Sequence, residues 1–227
     1  ICCFTLYLKN MSRSKNKFKK ILLYSLVTFL LCYFLVFAID RMIGRYKNAH
    51  RESKAISISR GDIIFRVTFY GIADSKYANY GSAPGHLGIF LSDTTITDPT
   101  VATLKKLLVA ETSLFNHKGH QIKPILRINS ADNNYAHAFG RLILINTHLS
   151  NSQKNVLQKY AEMNVGKPYK LFAEKSDTSF FNCSSFVWNA LKHSAKIDAD
   201  ANGGDLVLPF DILSYFLTKD NVEIVTF

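Results

Sequence analysis

The chain has 227 residues, 48% of them hydrophobic, and a net charge of +11 from 28 Lys and Arg against 17 Asp and Glu. That length accommodates one well-packed domain and an appendage. Removing residues 1–40 takes away six basic residues and one acidic, leaving +6 scattered over the remainder. Such a charge fits a solvated surface near anionic lipid or cell wall, and argues against a nucleic-acid partner.

In chain order, residues 1–10 precede the first methionine, Met11, and are expected to be an upstream artefact or a fragment edge, outside the fold. Residues 1–20 form a basic leader carrying Arg13, Lys15, Lys17, Lys19 and Lys20. Residues 21–39 (ILLYSLVTFLLCYFLVFAI) hold no charge, and 19 residues at about 1.5 Å each nearly span a hydrocarbon core of about 30 Å. A buried globular helix of this length would show a polar stripe; here only Tyr24, Ser25, Thr28 and Tyr33 interrupt the run. The run exceeds a usual signal-peptide core and lacks a small-x-small cleavage site, so an uncleaved signal anchor is expected. The weaker basic excess after it (Arg41, Arg45, Lys47, Arg51) favours a cytoplasmic N-terminus, with the main domain on the extracytoplasmic side of the cytoplasmic membrane.

Residues 40–58 are charged and read as a stalk, and residues 59–227 as the main domain. After Gly61, Ile63, Phe65, Val67 and Phe69 alternate with Asp62, Arg66 and Thr68, the pattern of a half-buried strand. GIADSKYANYGSAPG (71–85) is a long Gly/Ser/Ala/Pro loop of the kind that carries function. Further strands are expected at 86–92, 107–112, 120–128 and 137–145. The period then lengthens. Residues 151–165 put Val156, Tyr160 and Met163 on one helical face, with Gly166 and Pro168 as a stop. A second helix is expected over 183–194, and Pro209 opens a third. Strands first and helices later predict an α+β fold, an antiparallel sheet packed on helices.

Cys2 and Cys3 lie in the leader and Cys32 in the apolar run, so Cys183 stands alone in the main domain, without a disulfide or metal-ligand companion. A lone cysteine is usually a small hydrophobe. Its place here is distinctive: Asn182 is a good N-cap, so Cys183 opens a helix. Helix N-termini favour thiolate and offer free N–H groups to an oxyanion. Among seven histidines, His50 lies in the stalk, His117 and His120 flank a turn, His137 and His148 end a strand, and His193 is a helix length from Cys183. His86 follows a Pro-Gly turn and opens the apolar strand GHLGIFL, as a held general base requires; a strand-end histidine with a purely structural role is the alternative. Glu111 interrupts the apolar strand LLVAET and needs a partner if buried; orienting an imidazole is one use, and a surface position at a strand end is the other. No histidine pair has H-E-x-x-H spacing, and no metal or other cofactor is expected.

GDIIF (61–65), GHLGIFL (85–91), VAET (109–112), VGKPY (165–169), FNCSSFVW (181–188) and LPFDI (208–212) occur in that order. Together they resemble the permuted papain-like hydrolases of the NlpC superfamily, in the YiiX/YebB-type branch, with lecithin:retinol acyltransferase-like proteins as relatives. The resemblance covers roughly residues 58–216. Ordinary papain-like enzymes place the cysteine helix before the histidine sheet; here His86 precedes Cys183, as circular permutation implies. The resemblance implies a nucleophile at Cys183, a base at His86 and an orienting residue at Glu111, with Gly85, Asn182, Ser184 and Tyr169 expected to line the substrate site. The chain departs from the branch in its Asn182 before the cysteine, its Ser184 and Ser185 after it, and a polar insert at 93–106.

The implied chemistry is thiol acyl transfer on a peptide amide, in a cell-wall stem peptide. The alternatives are lipid acyl hydrolysis or transfer with the same three residues, and a binding module without turnover. The sequence offers no obvious second apolar surface for entering lipid, which favours the peptide.

Overall fold

The computed structural model describes residues 19–36, 38–39, 42, 55–67, 84–96, 101–114, 121–135, 142–219 and 224–226. The expectations for residues 1–18, for the stalk at 43–54, for the loop at 71–83, and for His50, His117, His120 and His137 lie outside the described residues. Helix α1 (Lys19–Val36, mean hydropathy 1.8) is long and apolar enough to cross a membrane, and its apolar window is not buried against the rest of the chain.

The other elements are β1 (Ile56–Ile58), β2 (Ile63–Val67), β3 (Pro84–Phe90), β4 (Thr94–Ile96), α2 (Val101–Leu104), β5 (Leu108–Thr112), β6 (Leu126–Ser130), β7 (Leu142–Ile145), α3 (Asn151–Asn164), α4 (Cys183–Ala195), α5 (Pro209–Leu217) and β8 (Ile224–Thr226). Six strands form one sheet in the order β6-β5-β3-β2-β7-β8, and β1 with β4 form a separate pair. The pairings are antiparallel. The fold is thus mixed α+β with an antiparallel sheet, but the order is not strictly strands before helices: α2 falls between β4 and β5, and β8 follows α5 at the sheet edge.

The central strands are buried on both faces, not on one. Ile63, Phe65, Leu87 and Ile89 meet Leu157, Ala161, Phe186, Val187, Ala190, Ile212 and Leu213 of α3, α4 and α5. On the other face Ile64, Phe90, Val109 and Leu144 meet Ile56 and Ile58 of β1, Ile96 of β4 and Leu104 of α2. Each such side chain stabilises the fold by about 1.5–3 kcal/mol of apolar transfer before entropy is counted. This corrects one expectation. The end of the presumed stalk, at 56–58, is a core strand, because its two isoleucines cover Ile64. The polar insert at 93–106 supplies β4 and α2 to the same layer.

Helix α3 also buries a different face from the expected one. Leu157, Tyr160, Ala161 and Asn164 are buried, whereas Val156 is 40% and Met163 71% exposed. The i, i+3, i+4, i+7 series starting at Leu157 wins over the one starting at Val156. Ser150 and Gln153 close a capping box at its start, and Pro209 occupies the first turn of α5. The strand expected over 120–128 begins only at Leu126; of the one expected over 137–145, Leu142–Ile145 is described. At the head of β2, the Asp62 carboxylate accepts from the Ser59 N–H at 2.7 Å and the Thr147 N–H at 3.0 Å, tying the β1–β2 turn to the loop after β7.

Candidate active site

Cys183 is the first residue of α4, and its local setting is fixed by its neighbours. The Asn182 side chain accepts from the Ser185 N–H at 2.7 Å, and the Ser185 hydroxyl accepts from the Asn182 N–H at 3.0 Å. This reciprocal cap starts the helix at the cysteine. Helix geometry leaves the first N–H groups, those of Cys183 and Ser184, without intrahelical acceptors. Phe186, Val187 and Ala190 seat α4 in the core, so the thiol is half-buried and aimed at β3.

His86 lies on β3, opposite Arg66 of β2, and is buried. Its Nε2 lies 2.8 Å from Oε2 of Glu111, the penultimate residue of β5. With Nε2 engaged, Nδ1 is the ring nitrogen left to interact with Cys183, and the two groups shift each other's protonation. Burial alone would push the His86 imidazolium down; the contacts with Cys183 and Glu111 outweigh it and hold the ring proton up to about 9. Burial would raise the Cys183 thiol, but His86, the Ser184 hydroxyl and the Leu87 N–H together bring it below its ordinary value. Burial would likewise raise Glu111, but the contacts with His86 first, and then Asn134, bring it below its ordinary value. All three shifts favour one state, thiolate, imidazolium and carboxylate.

The four residues expected at the substrate site have different fates. Gly85 is exposed at the head of β3, next to His86. Ser184 is buried, its hydroxyl 3.9 Å from the Cys183 sulfur. Tyr169 pairs with Phe181 just before α4; burial, then the nearby Cys183 charge, pushes its hydroxyl up to about 12, so it remains a proton donor. Asn182 is occupied at both ends of its amide, capping Ser185 through Oδ1 and donating to the Leu171 carbonyl at 3.0 Å through Nδ2. It builds the site and has little left for a substrate.

His148 is exposed with a positive φ of 50°, and the His193 ring lies against Tyr160 with centroids 4.8 Å apart; neither is brought to Cys183 by these contacts. Among the described residues, no group of three or more His, Cys, Asp or Glu side chains is placed to hold a metal ion.

Three residues at the site escaped the sequence reading. Asn129 of β6 donates its amide to Glu111 Oε1 at 2.8 Å, and Asn134 donates to the same oxygen at 2.5 Å. The Tyr135 ring stacks on His86 with centroids 5.7 Å apart and planes 26° from parallel. Gly88 makes room for it: a Cβ there would lie 2.8 Å from the Tyr135 hydroxyl and 2.5 Å from Val109 Cγ1. The only sequence signal was a cluster of asparagines in RINSADNNY, which reads equally well as a turn.

The loop before α4 exposes apolar side chains. Leu171 and Phe172 are 57% and 67% exposed, and Leu171 is the residue whose carbonyl Asn182 holds. Phe180 is partly exposed beneath Lys170, whose ammonium lies 5.5 Å from the ring centroid. Leu171, Phe172 and Phe180 lie in a stretch without helical period, which an amphipathic pattern cannot reveal.

No family model matches the chain. It is 40% identical over 70 residues to the uncharacterized protein YycO of Bacillus subtilis, and the match spans 29% of this chain and 29% of YycO. A crystal structure described as metalloprotein yiiX, from Escherichia coli O157:H7, superposes with a TM-score of 0.47 at 16% identity, over 74% of this chain and 96% of that one.

Proposed function

We propose that residues 56–227 form a permuted papain-like thiol hydrolase of the NlpC type. In this reading α1 anchors it as a single-pass protein in the cytoplasmic membrane, with the domain on the extracytoplasmic side, where it cleaves an amide in a cell-wall stem peptide. The observation that supports it is the line of contacts Cys183–His86–Glu111, drawn from three separate elements and biased toward the thiolate.

In the first step the Cys183 thiolate attacks the amide carbonyl, and the backbone N–H groups at the start of α4 receive the oxyanion. The C–N bond then breaks, and the leaving amine takes the His86 proton. A thioester remains on Cys183. His86, now neutral and still oriented by Glu111, takes a proton from water as it attacks the thioester, and the acid product leaves with the thiolate restored. In this reading Gly85 and Tyr169 meet the scissile group, and the buried Ser184 contributes through its backbone N–H and its hydroxyl beside the Cys183 sulfur.

The test uses the full chain in detergent, wild type and Cys183→Ala, with purified peptidoglycan and mass spectrometry of the released fragments. Stem-peptide amide cuts that vanish in the alanine variant are expected. A folded wild-type protein that makes no cuts sinks the peptide reading. The second reading is lipid acyl hydrolysis or transfer by the same three residues, favoured by the exposed Leu171 and Phe172 beside the Asn182 cap; release of fatty acid from phospholipid vesicles would support it.

A further inference from the structure

Glu111 accepts three side-chain hydrogen bonds, and they divide unevenly. His86 engages Oε2, while the amides of Asn129 and Asn134 both donate to Oε1. The two amides arrive from different directions. Asn129 sits on β6 opposite Val109, diagonal to Glu111 across the strand pair. Asn134 follows a short 3-10 turn at Ala131–Asn133, which folds the chain back so that the Tyr135 N–H reaches the Ala131 carbonyl at 3.0 Å. Resting on the thiol-hydrolase reading, we propose that Asn129 and Asn134 are positioning residues, a two-amide clamp that holds Glu111 ionised and turns Oε2 toward His86.

The chemistry of the donors supports this. Two amide N–H groups and an imidazole N–H around one carboxyl leave no acceptor for a carboxylic proton, so the surroundings suit the ionised form. Asn134 is held by this contact rather than by a network of its own, because its buried Oδ1 has no hydrogen-bond partner. A buried amide serving only structure would satisfy both ends. The groups facing Glu111 from other elements are consistent. From β6, Arg127 lies opposite Glu111, but its Nη2 is spent on the Ser113 and Lys123 carbonyls. The Tyr135 ring packs against His86 and is buried. At the other end of the line, His86, Tyr169 and Tyr135 are titratable groups that interact with Cys183. The clamp therefore acts on Cys183 only through Glu111 and His86.

The experiment measures iodoacetamide modification of Cys183 in the full chain across pH. Mass spectrometry of the Cys183 peptide separates it from Cys2, Cys3 and Cys32, and no substrate is needed. Asn129→Asp and Asn134→Asp keep the side-chain size, remove the donor and place a second carboxylate against Glu111. The expected result is a rise in the midpoint for Cys183 of about one pH unit or more, with roughly tenfold slower modification near neutrality. Unmoved midpoints in variants with wild-type circular dichroism and melting overturn the clamp. Should Asn134→Asp not fold, Asn129→Asp decides by the same readout, since Asn129 is only partly buried on an edge strand. An ordinary thiol midpoint in the wild-type chain overturns the hydrolase reading itself. A low wild-type midpoint with unmoved variants overturns the clamp alone.

Discussion

The two ends of the Cys183–His86–Glu111 line are built in opposite ways. The thiol end is local: Asn182 and Ser185 cap the helix across three residues, and Ser184 is the next residue in the chain. The carboxylate end is assembled from afar, with its partners 25, 18 and 23 residues away at His86, Asn129 and Asn134. A helix start needs only its own sequence, because its unsatisfied N–H groups are met within one turn. A buried carboxylate needs donors from several elements, because one strand cannot surround its own side chain. The comparison implies that damage at the thiol end is absorbed as helix stability, whereas damage at the carboxylate end reaches the chemistry.

The sharpest way to break that contrast is Glu111→Gln. Its amide keeps the shape but removes the negative charge beside His86, and activity is expected to fall about 10²–10⁴-fold, measured as stem-peptide release. The sign with pH follows from His86. The imidazolium is present below its value of about 9 and is lost as pH rises through it, so in the wild type the ion pair persists from neutrality to about pH 9. Without the carboxylate charge the imidazolium gives up its proton at lower pH, and the alkaline limb of the activity profile moves down. An unmoved limb would mean that Glu111 is structural.

Gly88→Ala attacks the carboxylate end by packing. Its Cβ would meet Val109 Cγ1 at 2.5 Å, the Tyr135 hydroxyl at 2.8 Å and the Ala110 carbonyl oxygen at 3.0 Å. Overpacking of this kind costs about 1–3 kcal/mol, read as a lower melting temperature, with activity reduced further as Tyr135 shifts from His86. At the thiol end, Asn182→Ala removes the cap and the bond to the Leu171 carbonyl; a loss of about 1–2 kcal/mol in denaturant unfolding is expected. Activity in the folded fraction should stay within about tenfold of wild type, since Asn182 does not touch the line of contacts; a collapse of 10³-fold would erase the contrast.

The same division governs what could be read in advance. Helix α4 from Cys183, the proline-opened α5, α3 to within a residue, and the apolar strands around Ile63 and Ile89 were legible because periodicity and capping are local. Cys183 and His86 were marked out by equally local cues, one at a helix start and one beside Pro84 and Gly85, although these two residues belong to β3 and form no turn before it. The second face of the sheet was not: Ile64 reads as an ordinary strand residue until β1 and β4 are seen to cover it. The exposure of Leu171 and Phe172 was equally hidden, being set by the path of a loop.

By itself, then, the sequence determined the helix starts, the apolar α1, the α+β class and a thiol at a helix N-terminus, since each follows from residues within a turn or a strand of one another. Only the tertiary structure decided that Glu111 faces His86, that Asn129 and Asn134 grip its other oxygen, and that Tyr135 stacks on the imidazole. Those contacts depend on strand register and on the turn after β6, and a one-residue shift in register would turn Glu111 to the opposite face of the sheet.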